Sequence, residues 1–290
     1  MKEIDLFCGI NSLGLPFPKE NKAHIGYFDI IKKYLIDNGY EVNGYNISSL
    51  NKNHTWDLEK ILNQNYLLST VRNIQIASID ALRNTNPLFK LIVPKEIKEK
   101  ILLEEENNDR SFKDIYQSSL NPIFLYSGGP NDFFTFIKSG PVELLSEDVR
   151  DSLPSNLEEL IKKSVDNVMD NLSFLYQLNN NVKIYVLGYY DSPLYDKIQK
   201  VIFLQEKLKG KNYGKNNKFL PLIELFNSTL EQRCNNIEYV NYIDISFLKS
   251  YCAPMDFHPN TIGNELIAEK IIEKLMYGGK IRYIMRKELV

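Results

Sequence analysis

Short runs of apolar residues alternate along the chain with longer segments in which apolar residues recur at the period of a helix. The short runs predict β-strands over 4–8, 41–45, 123–126, 182–187 and 238–245. The longer segments predict helices over 23–38, 155–178 and 263–276, the first of them ended by Gly39. Because strands that alternate with helices are typical of a parallel sheet with crossover helices, we predict an α/β fold.

Two segments depart from this alternation. Residues 57–120 contain scattered apolar positions and the polar run 104–109, which we interpret as a mostly helical insertion with an exposed loop. The stretch 207–218 is rich in lysine, asparagine and glycine and predicts a surface loop. Residues 1–290 are therefore predicted to form one domain that carries an insertion at about 57–120.

Composition narrows the class of protein. The 290 residues are 43% hydrophobic and 25% charged, and the formal net charge of −2 gives no electrostatic footprint for nucleic acid. No stretch approaches the roughly 18 apolar residues of a membrane span, and residues 1–7 do not resemble a signal peptide. The three cysteines lack metal or disulfide spacing, which suits a reducing compartment. We expect a cytoplasmic protein that needs no metal or organic cofactor.

His258 has the best setting for a general base among the three histidines of the chain. It follows the fifth predicted strand and precedes the closing helix. Loops at the carboxyl ends of parallel strands are where open α/β sheets bind ligands. Asp256, two residues earlier, could orient the ring and stabilise the imidazolium. The alternative is a histidine that caps a helix beside a proline turn.

A glycine-rich turn follows the third predicted strand. Gly128 and Gly129 would let the backbone approach a ligand closely, and the Asn131 side chain could donate an N–H to a developing oxyanion. The alternative is an ordinary turn in which Asp132 caps the next helix. The turn therefore predicts part of an oxyanion hole only in combination with a nucleophile and a base.

Ser12 supplies a candidate nucleophile on the turn after the first predicted strand. A serine at a strand-to-helix turn is open to a general base, and its own N–H faces the oxyanion position. The alternative is an ordinary loop serine. Cys8 lies inside the apolar run instead, which favours a buried structural thiol over a second nucleophile. Nucleophile, oxyanion donor and base thus follow separate strands at one edge of the predicted sheet.

With these motifs in this order, the chain resembles the SGNH, or GDSL-type, hydrolases. The family's Gly-Asp-Ser-Leu block is similar to residues 10–13, which read Ile-Asn-Ser-Leu, and its Gly-x-Asn-Asp block is matched by residues 129–132. Its last block is similar to Asp-Phe-His-Pro-Asn at 256–260. The resemblance spans nearly the whole chain, apart from 57–120, and implies a flavodoxin-like three-layer α/β/α sandwich with a five-stranded parallel sheet.

The resemblance also implies a reaction and roles for individual residues. The reaction is hydrolysis of a carboxylic ester, such as an acetyl or acyl ester of a sugar, a lipid or a small metabolite. Ser12 would be the nucleophile, His258 the base and Asp256 the acid. Asn131 and the Ser12 amide would line the oxyanion hole. The second-block glycine has no counterpart in 49–53, where Asn51 is the candidate substitute.

Other departures from the family pattern keep a second class of function open. Ile10 and Asn11 stand where the family has Gly and Asp, and Met255 stands at the usual position of the acid. A weak or inactive protein of this fold could bind a ligand or partner through the same cleft. Residues 5–9 are also similar to the opening of cytosine-C5 DNA methyltransferases, but no cysteine of the chain follows a proline, as that chemistry requires.

Overall fold

The computed structural model describes residues 2–10, 13, 25–48, 55, 58–63, 110–130, 132, 155–208, 219–252 and 258–277. Within these ranges one sheet is formed by five strands: β1 (Lys2–Ile10), β2 (Tyr40–Asn46), β3 (Pro122–Ser127), β4 (Lys183–Leu187) and β5 (Val240–Ile243). Their order is β2-β1-β3-β4-β5, and every neighbouring pair is parallel. The predicted parallel sheet is confirmed, and each strand bound lies within two residues of its prediction.

The helices of the described residues are α1 (Tyr27–Asp37), α2 (Leu58–Leu62), α3 (Phe112–Ser118), α4 (Ser155–Leu178), α5 (Pro193–Leu208), α6 (Phe219–Cys234) and α7 (Thr261–Tyr277), with a 3₁₀ helix over Ser246–Tyr251. The bounds of α4 are those predicted, whereas α5 and α6 were not predicted. Residues 64–109 and 209–218 lie outside the described residues, so the insertion and the surface loop stay predictions. None of the described helices has both the length and the apolar character needed to span a membrane.

The sheet is covered on both faces. Phe7 and Phe124 point to one face and pack with α4 and α6, while Leu6 and Leu125 point to the other and pack with α1 and α7. Successive side chains of a strand alternate in direction, so strands buried on both faces read as continuous apolar runs. The predicted three-layer α/β/α sandwich is therefore confirmed.

Helix α1 begins later than the predicted start at residue 23. Its first residue is Tyr27, and Ile25, which lies within the predicted span, is 41% exposed. Gly26 is extended, and its N–H donates to the Asp29 carboxylate at 3.0 Å. A first-turn carboxylate that takes the N–H of the residue before the helix defines a helix start, and this contact sets the boundary.

The winding of the chain reverses between β1 and β3. From β1 the chain moves to β2 on one side of the sheet, and β3 lies on the other side. Ile10, the last residue of β1, pairs with Ser127, the last residue of β3. In open α/β sheets the crevice beyond such a reversal is where ligands bind. The loops that contain Ser12 and Asn131 thus leave the sheet from paired positions beside this crevice.

Candidate active site

The structure describes the surroundings of the predicted site more fully than the site residues themselves. His258 is described and is half-buried, whereas Ser12, Asn131, Asp256 and Asn51 lie outside the described residues. Their roles therefore stay predictions. Residues that flank each of these positions along the chain are described.

The segment that contains Ser12 is anchored on both flanks. On one side, the Cys8 carbonyl accepts a hydrogen bond from the Ile47 N–H at 2.7 Å, which joins the end of β1 to the residue after β2. On the other side, Leu13 is buried in the core on the α1 and α7 face. Described contacts therefore hold the chain at Cys8 and at Leu13, on either side of the predicted nucleophile Ser12.

Cys8, a residue of β1, has a buried thiol. Its Sγ lies 3.2 Å from the Tyr27 hydroxyl and 3.6 Å from the Ser48 hydroxyl. Burial in the apolar core raises the pKa of Cys8 to about 11, and the hydrogen bonds from Tyr27 and Ser48 offset only part of that rise. A thiol that stays protonated is a poor nucleophile, so the contacts favour the structural role that the sequence indicated.

We expect Cys8 to resist alkylation by iodoacetamide at pH 8 in the native protein and to react after denaturation. Because the buried thiol holds its proton more tightly than the thiol of the unfolded chain, the contribution of Cys8 to stability is fully present below pH 9.0. It is lost as pH rises toward about 11. In urea unfolding followed by circular dichroism, Cys8→Ala should therefore lose less stability than wild type between pH 8 and pH 10. Rapid native alkylation that stops ester turnover would instead identify Cys8 as a nucleophile.

The residues after His258 form a fixed turn. Pro259 makes an antiparallel bridge with Cys252, and the Asn260 N–H donates to the Tyr251 carbonyl at 2.7 Å. The Asn260 side chain accepts from the Gly263 N–H at 2.9 Å, which caps the first turn of α7. His258 therefore immediately precedes a turn that is tied both to the 3₁₀ helix and to α7.

Asn264 joins this turn to the start of α1. Its Nδ2 donates to the carbonyls of Pro259 at 3.1 Å and Asn260 at 3.0 Å, while its Oδ1 accepts from the Tyr27 N–H at 3.1 Å. The side chain is buried, and a buried amide whose donors and acceptor are all used holds its partners in one geometry. Asn264 thus joins the turn after His258 to the first residue of α1.

Tyr27 continues this connection to β1 through the hydroxyl contact with Cys8. Burial raises the pKa of Tyr27 well above its usual value, so the phenol stays neutral. A continuous series of buried contacts therefore runs from the turn beside His258, through Asn264 and Tyr27, to the strand that leads to Ser12. Sequence reasoning missed this series because its members are far apart along the chain.

The glycine-rich turn after β3 is also packed tightly. Gly129 has a φ of +106°, and its carbonyl accepts from the buried Ser164 hydroxyl at 2.8 Å and from the Asp132 N–H at 2.9 Å. A positive φ is readily adopted by glycine and is strained for other residues. The positive φ therefore accounts for a glycine at position 129.

The carboxylate of Asp132 joins the turn after β3 to Thr55. It accepts from the Thr55 N–H at 3.1 Å and from the Thr55 hydroxyl at 2.6 Å. Asn171 on α4 donates to the Thr55 carbonyl at 2.7 Å and to the Tyr126 hydroxyl at 2.9 Å. The β3 turn is thereby joined to the residues that follow the predicted second oxyanion segment.

An ion pair joins the loop after β4 to the 3₁₀ helix that leads toward His258. Lys249 Nζ lies 2.5 Å from Asp191, whose side chain is buried, and 3.1 Å from Asp196. Burial disfavours the charge on Lys249, but its hydrogen bonds to the two carboxylates outweigh this effect and its pKa is raised.

Among the described residues, no three acidic, histidine or cysteine side chains lie close enough together to hold a metal ion.

The sheet order and the helices on both faces define a flavodoxin-like α/β/α sandwich. Among solved structures, the chain is similar to the lipase Lip_vut3 from a goat rumen metagenome, with 15% identity, 94% of this chain and 96% of that chain covered, and a TM-score of 0.50. At this identity the likeness shows a shared fold, and it confirms the predicted fold class.

Further solved structures are similar at lower scores. A putative GDSL-like lipase from Parabacteroides merdae is 13% identical over 94% of this chain and 96% of that chain, with a TM-score of 0.46. A family 2 carbohydrate esterase with a carbohydrate-binding domain, from Corynascus thermopiles, is 12% identical over 94% of this chain and 65% of that chain, with a TM-score of 0.45. Neither the family models nor the curated protein sequences compared with the chain give a match.

Proposed function

We propose that the protein is a serine hydrolase that cleaves carboxylic esters. The observation that carries the proposal is the buried series of contacts between the turn beside His258 and the strand that leads to Ser12, through Asn264 and Tyr27. Because buried hydrogen bonds hold this turn and this strand in a fixed relation, they support the proposal that His258 and Ser12 act together. The likeness in fold to a protein named as a lipase supports the same reaction class.

In the proposed reaction, His258 accepts the proton of the Ser12 hydroxyl as Oγ attacks the ester carbonyl carbon. The tetrahedral intermediate places its oxyanion against the Ser12 N–H, the Asn131 amide and a donor at or near Asn51. When the intermediate collapses, the C–O bond breaks and the leaving alcohol takes the proton from His258. Water then repeats the sequence on the acyl-enzyme, and Asp256 orients the imidazole in both halves.

We further propose that the substrate is an acetyl or acyl ester of a sugar, a lipid or a small metabolite. In α/β sandwiches the substrate pocket is built by loops and insertions on a rigid scaffold. The segments 57–120 and 190–220 are proposed to shape the acyl and alcohol pockets. A series of p-nitrophenyl esters from acetate to octanoate would report the acyl length that the pocket accepts.

The proposal is tested by ester turnover and by labelling with a fluorophosphonate, which reacts only with an activated serine. Wild type should hydrolyse a short p-nitrophenyl ester and take the label, and Ser12→Ala should do neither. Ser246→Ala, which removes an exposed serine from the 3₁₀ helix, is the matched control and should behave as wild type. Equal turnover by wild type and Ser12→Ala would overturn the assignment. Absence of both turnover and label would favour the ligand-binding alternative.

We also propose that the reaction takes place in the cytoplasm. The three cysteines are free and buried, which is compatible with a reducing compartment. Fractionation of cells that express the protein, with quantification of ester turnover in each fraction, tests this placement. Recovery of the activity outside the cytoplasmic fraction would contradict it.

A further inference from the structure

An oxyanion hole works only if its donors converge on one oxygen atom. In the proposed reaction one donor is Asn131, on the turn after β3, and another belongs to the segment around Asn51, after β2. These segments leave strands that are not neighbours, because β1 lies between β2 and β3. Donors must lie about 2.7–3.1 Å from the oxyanion, so something must hold the two segments in register.

Thr55 and Asp132 make the contact between these segments. Asp132 directly follows Asn131, and Thr55 follows Asn51 by four residues. The Thr55 N–H and hydroxyl both donate to the Asp132 carboxylate, at 3.1 and 2.6 Å, and both residues are buried. A buried carboxylate that takes two donors from one residue fixes the orientation of that residue as well as its distance.

Asn171 completes the arrangement from the side of α4. Its Nδ2 donates to the Thr55 carbonyl and to the Tyr126 hydroxyl at the end of β3, so the Thr55 backbone is held through both its N–H and its carbonyl. Burial raises the pKa of Tyr126 beyond its usual range, so this phenol stays neutral while its oxygen accepts the bond. Thr55 is thus tied to the exit of β3 by two independent routes.

We propose that Asp132, Thr55 and Asn171 form a clamp that sets the spacing of the two oxyanion donors; this inference rests on the serine hydrolase function proposed above. The three are positioning residues, because they act through Asn131 and the segment around Asn51. The hydroxyl of Thr55 is the group of the clamp that a substitution can remove with the least other change. Valine has nearly the same shape as threonine and lacks only the donor to Asp132.

Thr55→Val should lower kcat for a p-nitrophenyl ester by about 10- to 100-fold and leave KM unchanged, since the hole acts on the transition state and misplacement of a catalytic donor costs this much. Affinity for a trifluoromethyl ketone, whose serine adduct carries an oxyanion, should fall by the same factor. Thr55→Ser, which keeps the hydroxyl, should restore most of the rate. Thr229→Val, the same change in a half-buried position of α6, should match wild type.

Asp132→Asn tests the other side of the contact. An amide has one acceptor oxygen and turns an NH₂ toward a donor of Thr55, so this variant should lose kcat as Thr55→Val does. If the clamp acts through the oxyanion hole, Thr55→Val combined with Asn131→Ala should lose less rate than the product of the two single losses. Circular dichroism and melting temperatures of all variants separate this effect from loss of folding.

Two results would overturn the clamp. One is Thr55→Val with the kcat and ketone affinity of wild type. The other is a folded Thr55→Val whose rate loss multiplies with that of Asn131→Ala, because that would place its effect outside the oxyanion hole. Failure of the proposed function has a different signature, in which wild type itself neither turns over ester nor takes the fluorophosphonate label, and the clamp would then have no oxyanion to serve.

Discussion

Ser12→Ala and His258→Ala should each lower kcat for a p-nitrophenyl ester by about 10⁴- to 10⁶-fold, and the double variant should be no slower than either single one. A serine hydroxyl without its base is a weak nucleophile, and a base without the serine has no proton to accept. Residues that act as one unit therefore give losses that do not add. The measurement is kcat of the three variants in excess ester, with folding checked by circular dichroism.

The chain offers its own controls for the base. Its other histidines are His24 and His54, and alanine at either position should leave kcat near wild type. A large loss at one of them, with His258→Ala still active, would move the base to that residue. Additive losses from Ser12→Ala and His258→Ala would show that these two residues affect the rate by separate routes and would contradict the proposed reaction.

The fold could be predicted from the sequence because its central elements are buried in a simple way. Every described residue of β3 is buried, and such a strand is a continuous apolar run. Helix α4 packs one face on the sheet, so its apolar residues recur at the helical period and its bounds were predicted correctly. Both signals are local, and a single sequence contains them in full.

Helices α5 and α6 were missed because their apolar residues are not confined to a buried face. Leu204 and Leu208 of α5 are 58% and 89% exposed, and Leu220 of α6 is 39% exposed. Apolar residues on the exposed side weaken the helical period on which a prediction depends. Pro221 lies in the first turn of α6, where a backbone N–H would have no intrahelical acceptor, so the helix tolerates a residue without one. In a sequence, however, a proline usually indicates the end of a helix.

The candidate site could be predicted only as far as its motifs are local. The order of strands and glycine-rich turns indicated which loops carry Ser12, Asn131 and His258. The contacts that join those loops could not be found in this way, because Asn264 and Tyr27 are 237 residues apart and Asn171 and Thr55 are 116 apart. No period or spacing in one sequence reports such pairs, which depend on how the helices pack over the sheet.

Gly129→Ala should lower the free energy of unfolding by about 2–5 kcal/mol and should also lower kcat. Gly129 has a φ of +106°, and a Cβ there would lie 2.8 Å from Cζ of Phe226 and 2.9 Å from Cγ2 of Val168. Both neighbours are fully buried, and a close-packed interior leaves them no room to retreat. The backbone would shift instead, and Asn131, the proposed oxyanion donor two residues onward, would shift with it.

Gly39→Ala separates backbone strain from packing in this prediction. Gly39 also has a positive φ, +84°, but a Cβ there would meet nothing within 4 Å. It lies in the exposed turn between α1 and β2. Gly39→Ala should therefore lower the free energy of unfolding by only about 1–2 kcal/mol and keep the wild-type kcat. Urea unfolding by circular dichroism and ester turnover of both variants provide the comparison. Equal losses of stability in Gly129→Ala and Gly39→Ala would show that Phe226 and Val168 move to accommodate the added methyl group. An unchanged kcat in Gly129→Ala would show that the turn does not position Asn131.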